Sequence, residues 1–297
     1  MNNPLISVIV PTYRRKPELI SRAITSILSQ TYSNIELIVV DDSPESFKNR
    51  KDVQNYLSRI GDDRISYIKH DINRGANKAR NTGIEASNGE FIAFLDDDDE
   101  WLPEKLELQI EKFDNKNIAL VYCQAVIIDE MDGSVRPILN QLKKGKHYYD
   151  LLKQNFIGSN SFVLIRSNII KEVGMYDENL LSNQDYDLFL KIAKRYEINF
   201  VDKILVRYYI HEGDRISTNQ EKQLQGRLGL EKNFKVDIEK DDELKLIWGI
   251  KKIPLYYNVG QKAKAFSLML SIFLKHPIFF IKYIFGTLQY INRKKKE

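Results

Sequence analysis

The sequence predicts an α/β fold in which a mostly parallel sheet is flanked by helices and followed by a C-terminal helical extension. Three observations predict it. In the first half, short β-rich apolar runs alternate with segments of helical period in the order βαβαβαβα. Those apolar runs do not alternate with polar residues, as expected of parallel strands covered on both faces. From about Ser217 the composition turns helical and charged, and from Ile253 apolar and basic. With 297 residues, 43% of them hydrophobic, the chain can bury the core of one large domain and carry an appendage. The expected division is 1–215, with halves 1–128 and 129–215, followed by 216–297.

Strands are expected at Leu5–Val10, Ile35–Val40, Ile65–Lys69, Phe91–Leu95 and Ala119–Ile128. Amphipathic helices are expected between them at Pro17–Leu28, Glu45–Ile60, Ala76–Ala86 and Pro103–Phe113. Pro11 has no N–H and should halt the first strand, exposing Thr12, Tyr13 and Arg14. "MDGSV" predicts a hairpin turn between Val126 and Ile138. Further on, a strand at Ser161–Ile165 precedes "SNIIKEVG", a helix closed by Gly174. In "SNQDYDLFLKIAKRY" the buried stripe is Leu188, Ile192 and Ala193, and Asp185 and Asp187 lie at the helix's amino end, where its dipole favours them. A last strand is expected at Leu205–Ile210.

Lys and Arg number 45 against 41 for Asp and Glu, a net +4, so no general affinity for nucleic acid follows. The single cysteine, Cys123, has no partner for a disulfide or a zinc site and reads as a core residue of a protein in a reducing compartment. The opening residues lack a basic segment followed by a long apolar one, which predicts no secretory leader and a cytoplasmic location.

Ligands of doubly wound sheets bind at the carboxyl ends of the strands. Those ends carry "PTYRR", "DDS", "NRG" and "DDDD". Asp99 reads as the N-cap of a helix beginning near Leu102–Pro103. Asp96, Asp97 and Asp98 are left to repel one another unless a cation intervenes, and hard divalent ions such as Mg²⁺ or Mn²⁺ bridge carboxylates to phosphates in this way. Asp42 offers an acceptor for a base N–H, Tyr13 a ring for a nucleobase, and Arg80 a charge for a diphosphate.

Four stretches, "ISVIVPTYRR", "ELIVVDDSPES", "NRGANKARNTGIEASNGEFIAFLDDDDEW" and "NQDYDLFLKIA", in this order and spacing, resemble the family 2 glycosyltransferases of GT-A (Rossmann-like) fold over about Pro4–Ser217. The resemblance implies an inverting transferase that takes a nucleotide-diphospho-sugar, with UDP the first expectation, and a divalent cation, Mn²⁺ or Mg²⁺, held at a DxD motif. On this sequence the motif falls on Asp96-Asp97-Asp98, with Asp98 the metal ligand, Asp96 facing the ribose or the metal, and Asp97 the variable middle position. Residues 1–128 become the nucleotide-sugar half and 129–215 the acceptor half. Pro11, Thr12, Tyr13, Arg14, Asp42, Arg80, Asp96 and Asp97 become donor contacts. An inverting transfer needs one carboxylate to take the proton of the acceptor hydroxyl, and Asp185 is that base. Where the family usually has Glu-Asp, this sequence has Gln184-Asp185. In some related transferases a histidine near His211 joins the metal or the diphosphate, so His211 is a further candidate.

"AFSLMLSIFLKHPIFFIKYIFGTLQYINRKKKE" contains no run of 18 charge-free apolar residues, as a spanning helix would need. It suits two short amphipathic pieces lying at a membrane surface, with the terminal "RKKK" drawn to an anionic leaflet. The alternative is a helical pair packed on protein. Such a tail fits an enzyme peripheral on the inner face of the cell membrane, extending a glycan or a lipid-linked acceptor. Two other classes compete. A nucleotidyltransferase needs a Gly-rich loop after the first strand, and "PTYRRKPE" has no glycine. A non-catalytic, membrane-docked sugar-nucleotide-binding subunit is favoured by Gln184 alone.

Overall fold

The computed structural model describes residues 3–138, 140–211 and 219–283. The chain divides into two compact units, one of Met1–Asn179 with Gln184–Glu212 and the other of Leu180–Asn183 with Gly213–Glu297.

The first unit is built on one nine-stranded sheet. Its strands are β1 (Ile6–Thr12), β2 (Ile35–Asp41), β3 (Ile65–Lys69), β4 (Phe91–Phe94), β5 (Glu100–Trp101), β6 (Ile118–Asp129), β7 (Val135–Ile138), β8 (Val163–Arg166) and β9 (Glu197–Ile210). They lie in the order β3-β2-β1-β4-β8-β6-β9-β5, with β7 paired to β6. Pairs β1–β2, β1–β4, β2–β3 and β6–β9 are parallel. Pairs β4–β8, β6–β8, β6–β7 and β5–β9 are antiparallel. One half of the sheet is therefore the parallel arrangement read from the sequence, and the other half is mixed.

The helices of this unit are α1 (Pro17–Leu28), α2 (Arg50–Ile60), α3 (Ala76–Ala86), α4 (Lys105–Ile110), α5 (Tyr148–Lys153), α6 (Ser167–Glu172) and α7 (Gln184–Ala193). In α1, Pro17 opens the helix, and Ile20, Ala23, Ile24 and Ile27 recur at helical spacing on the buried face. Gly174, at φ +89°, closes α6 as expected, with the Met175 N–H reaching back to Ile170 O. The "MDGSV" hairpin joins β6 to β7, with Val126 opposite Pro137.

Three expectations need correction. Pro11 does not end β1, because Ile9 O accepts from Leu95 N on the β4 side. Alternation along the strand turns the missing N–H of Pro11 to that same side, where β4 has already ended, and the ladder to β2 continues to Thr12. Asp99 caps no helix: the two residues of β5 intervene, α4 starts at Lys105, and Asp99 is fully buried. The last strand begins at Glu197 rather than Leu205, and its register against β6 shifts near Cys123–Ala125.

The second unit contains α8 (Gln220–Asn233), α9 (Lys235–Glu239), α10 (Asp242–Asn258) and α11 (Lys262–Lys275). Asn219 and Asp241 cap α8 and α10 with their side chains. Trp248 is fully buried with the Arg227 guanidinium 3.8 Å from its ring centroid. Among the described residues no single helix is long and apolar enough to cross a membrane, and Lys262–Lys275 and Pro277–Tyr283, bent by 117°, have that length and composition only taken together. The terminal "RKKK" lies outside the described residues.

Gly89 enters β4 against β1, and a Cβ there would sit 2.6 Å from Ser7 N and 2.8 Å from Leu5 O. Both are backbone atoms, so the strand itself must move. Gly89→Ala is expected to cost about 1–3 kcal/mol, in the range of overpacking, read as a lower urea midpoint at unchanged slope. An unchanged midpoint would mean that β1 yields without cost.

Candidate active site

The site is built around the turn that follows β4. Asp99 N bonds Asp96 O at 3.0 Å, closing Asp96–Asp99 into a tight turn with four adjacent carboxylates. At an effective dielectric of about 20, two charges about 4 Å apart repel by about 4 kcal/mol, so each carboxylate needs its own compensation. Arg80 Nη2 donates to Asp96 Oδ1 at 2.8 Å. Thr12 Oγ1 donates to Asp97 Oδ2 at 2.7 Å, and Arg15 Nε donates to Asp97 Oδ1 at 3.0 Å. Arg15 Nη2 reaches Asp98 Oδ2 at 3.3 Å, and His211 Nε2 lies 2.9 Å from that same oxygen. Ser161 Oγ donates to Asp99 Oδ2 at 2.6 Å, and Tyr209 N donates to Asp99 Oδ1.

Burial decides which of these acids are shifted. Desolvation pushes Asp97 up to about 6 against the opposing charge of Arg15. Asp99 is raised well above the usual carboxylate range, first by burial and then by the charges of Asp98 and Asp96. Arg80 is raised although burial alone would lower it, because Asp96 stands beside it. Its Nε and Nη1 are buried without a hydrogen-bond partner.

The other rim residues fall as follows. Tyr13 is 41% exposed. Arg14 takes a left-handed φ of +51°, gives its N–H to Ser43 Oγ at 2.7 Å, and has an exposed side chain. That turn sends Arg14 outward and Arg15 inward. Asp42 is buried and holds the "NRG" turn: Oδ1 accepts Arg74 N and Oδ2 accepts Gly75 N, each at 2.8 Å, while His70 Nδ1 lies 2.7 Å from Oδ1. Asp41 accepts Ser43 N and the Tyr67 hydroxyl, so it serves the turn.

Asp185 opens α7 and is half-buried. Its Oδ1 accepts Tyr186 N at 2.7 Å, and no hydrogen bond to Oδ2 is formed among the described residues. Burial, helped by the charge of Asp96, raises it to about 6, opposed by the Tyr186 amide and by Arg80. Asp187, two residues on, is fully buried, with Lys191 Nζ 2.6 Å from its Oδ2. The segment facing α3 is fixed by Asn81, which bonds both the N–H and the carbonyl of Tyr176, and the Tyr176 hydroxyl donates to Asn160 Oδ1 at 2.7 Å.

The turn thus brings together Thr12, Arg80, Asp96, Asp97, Asp98 and His211, all singled out from the sequence. Arg15, Ser161 and Tyr209 were missed. Arg15 had a signal, as the second basic residue of "YRR"; Ser161 and Tyr209 had none, since their roles depend on strand pairing. Among the described residues no three His, Cys, Asp or Glu side chains form a ready metal site. Asp98 and His211 nevertheless supply two converging donors of oxygen and nitrogen, a set that suits a divalent ion completing its coordination from a phosphate.

Residues 7–174 match the sequence family described as glycosyl transferase family 2. The chain is 33% identical over 226 residues to the UDP-Glc:alpha-D-GlcNAc-diphosphoundecaprenol beta-1,3-glucosyltransferase WfgD of Escherichia coli, covering 75% of this chain and 84% of that one. It is 31% identical over 224 residues to WfaP of Escherichia coli, which carries the same activity in its name, covering 74% and 82%. Among solved structures, S. aureus TarS 1–349 in complex with UDP-GlcNAc aligns with a TM-score of 0.65 at 18% identity, over 85% of this chain and 72% of that one. The chain spans 43% of the longer S. aureus TarS chain. The family match covers more than half of the sequence, the relatives exceed 30% identity over about three quarters of it, and the architecture is GT-A-like: the chain belongs to glycosyl transferase family 2.

Proposed function

We propose that this protein is an inverting, divalent-cation-dependent glycosyltransferase that moves a sugar from a UDP-sugar to a glycan or lipid-linked acceptor in surface polysaccharide or glycolipid synthesis. The observation that carries the reading is Asp185, a half-buried carboxylate with one oxygen uncommitted, within electrostatic reach of the same Arg80 that pairs with Asp96. A subunit that only bound the donor would have no use for such an acid. The UDP and diphosphoundecaprenol in the names of WfgD and its relative support the choice of donor and acceptor class.

Each residue has a stated task. Tyr13 offers its exposed ring to the nucleobase, and Asp42 offers the lone pair of Oδ2 that the "NRG" turn leaves unused. Pro11, Thr12 and Arg14 shape the rim beneath the nucleotide. Asp96 faces the ribose or the cation, and Asp97 stays in its buried bonds to Thr12 and Arg15. The buried, unpartnered Nε and Nη1 of Arg80 provide donors toward the diphosphate. Asp98 and His211, with Asp96 beside them, would hold Mn²⁺ or Mg²⁺. When bound, the cation supplies Lewis-acid stabilisation to the departing diphosphate. The acceptor oxygen attacks the anomeric carbon, its proton passes to Asp185 Oδ2, and the bond to the phosphate oxygen breaks with its electron pair leaving on UDP. No second carboxylic acid is required, because a diphosphate leaves without protonation, unlike a glycosidase's leaving alcohol.

The C-terminal part is proposed to dock on the cytoplasmic face of the cell membrane. Along α11 and the helical segment Pro277–Tyr283 that follows it, Phe266, Leu270, Phe273, Leu274 and Ile278 are exposed, with Leu274 at 69% and Ile278 at 70%. Lys262, Lys264, Lys275 and Lys282 lie among them, the pattern of an interfacial segment on anionic lipid.

Three outcomes are expected. UDP binding, read by calorimetry, should require Mn²⁺ or Mg²⁺ and be largely lost in Asp98→Ala, because carboxylates and phosphates otherwise repel; undiminished affinity in excess chelator would sink the cation reading. Asp185→Asn should keep UDP affinity and lose about 10²–10⁴-fold in transfer, the range of general-base catalysis. Since the base must be ionised and burial raises it to about 6, wild-type kcat/KM should rise with pH through about 6 and then level. Wild-type turnover in that variant would move the base elsewhere.

The third concerns the membrane. Ile272 of α11 is buried against Gly249, so deleting α11 would damage the helical unit, and surface substitutions are used instead. The triple variant Phe273→Glu, Leu274→Glu, Ile278→Glu alters only exposed positions. It should cease to co-sediment with vesicles of phosphatidylglycerol while hydrolysis of the donor sugar persists. Unchanged sedimentation would refute the docking.

A further inference from the structure

We infer that Arg22, a residue outside the motifs of the donor site, is a positioning residue that sets the spacing of Asp98 and His211, using Tyr209 as its platform. Arg22 lies on α1, and its guanidinium does three things at once. Nη2 donates to the backbone carbonyl of Asp98 at 2.7 Å. Nη1 donates to Glu130 Oε1 at 2.7 Å, just beyond β6. The guanidinium carbon lies 3.4 Å from the ring centroid of Tyr209, in stacking contact. Tyr209 is itself fixed: its hydroxyl donates to Glu100 Oε2 and its N–H to Asp99 Oδ1. Glu100 is held in turn by Arg207 at 2.7 Å.

The consequence follows from strand geometry. Tyr209 is the next-to-last residue of β9, and His211 is the first residue beyond the strand, two after Tyr209; both meet the Asp98 turn, Tyr209 through Arg22 and His211 directly. The stack on Tyr209 therefore fixes the strand end that delivers His211, and the bond to the Asp98 carbonyl fixes the turn that delivers Asp98. One planar cation ties both donors to α1. Lysine cannot replace it, since a single ammonium cannot stack and reach two acceptors in a fixed fork. Among the described residues Arg22 makes no bond to Asp185, Arg80 or the Asp98 side chain, so its role is carried through the positions of Asp98 and His211.

This inference rests on the proposed cation site, and the test separates the two. Mn²⁺ binding is measured on the full chain from the free-ion electron paramagnetic resonance signal, with UDP present at saturation. Wild type and Asp98→Ala establish the site: if they bind Mn²⁺ equally, the site reading itself fails. If wild type binds and Asp98→Ala does not, Arg22→Met and Arg22→Lys are each expected to weaken Mn²⁺ binding by about 10- to 100-fold, the range for groups that orient metal ligands. Tyr209→Leu, which keeps the backbone donor to Asp99, should weaken it likewise, so the result does not depend on one variant. Melting temperatures identify any variant that fails to fold. Folded Arg22→Met with wild-type affinity overturns the inference, as does full rescue by Arg22→Lys, which would mean that charge alone matters.

Discussion

Four neighbouring carboxylates at the end of a buried strand cannot all stay charged without help, and the protein meets that constraint by giving each one different partners. Asp96 has Arg80, Asp97 has Thr12 and Arg15, Asp98 has Arg15 and His211, and Asp99 has Ser161 and the Tyr209 N–H. The allocation is uneven. Asp97 and Asp99 sink into the protein and shift upward, whereas Asp96 and Asp98 keep side chains at the rim with 29% and 16% exposure. Alternation along the turn thus separates two acids that hold it together from two that remain at the rim.

The sheet's mixed half exists, in functional terms, to deliver those partners. β8 runs antiparallel to β4, so the residues just before it lie beside the carboxyl end of β4. That places Ser161 where its hydroxyl accepts Asp96 N and donates to Asp99. β6 is antiparallel to β8, and β9 parallel to β6, so β9 also ends at the rim and brings Tyr209 and His211 there. A wholly parallel sheet would have placed the start of β8 at the opposite edge. The reversal of β8 is what closes the acidic turn from the second side.

The regularities of local sequence were legible where local physics decides. Helices Pro17–Leu28 and Ala76–Ala86 and strand Ile65–Lys69 fall where the apolar spacing puts them, and each helix has a residue that marks its start: Pro17 in the first, Gly75 at φ +89° just before the second. The acidic turn and the acids that open α7 were legible because charges at strand and helix ends stand out against apolar flanks. What depended on partners distant in sequence was not. Asp99 looked like a cap because two residues of β5 are too short to show a strand pattern, and only pairing with β9 makes them one. Arg15 was overlooked in favour of Arg14 because their directions depend on one left-handed residue. Lys105 carried no signal in the sequence; it is fully buried on the Trp101 ring with Gln109 as its acceptor, and burial lowers it to about 8.

The choice between the two acids of α7 follows from helix geometry. Residues two apart on a helix differ by about 200° around its axis, so Asp185 and Asp187 cannot face the same surface. Asp187 points into the protein, where Lys191, one turn later, neutralises it. That ion pair is internal to the helix, and a proton delivered there would have to displace a buried salt bridge. Asp185 faces the other way, keeps an oxygen free, and bears a charge that Arg80 partly balances. The replacement of the usual acid by Gln184 leaves this division untouched, since Gln184 removes a charge from a third direction and neither supplies nor withdraws the acceptor at Asp185. The helix therefore leaves one acid with an uncommitted oxygen because its period assigns the other to an internal ion pair.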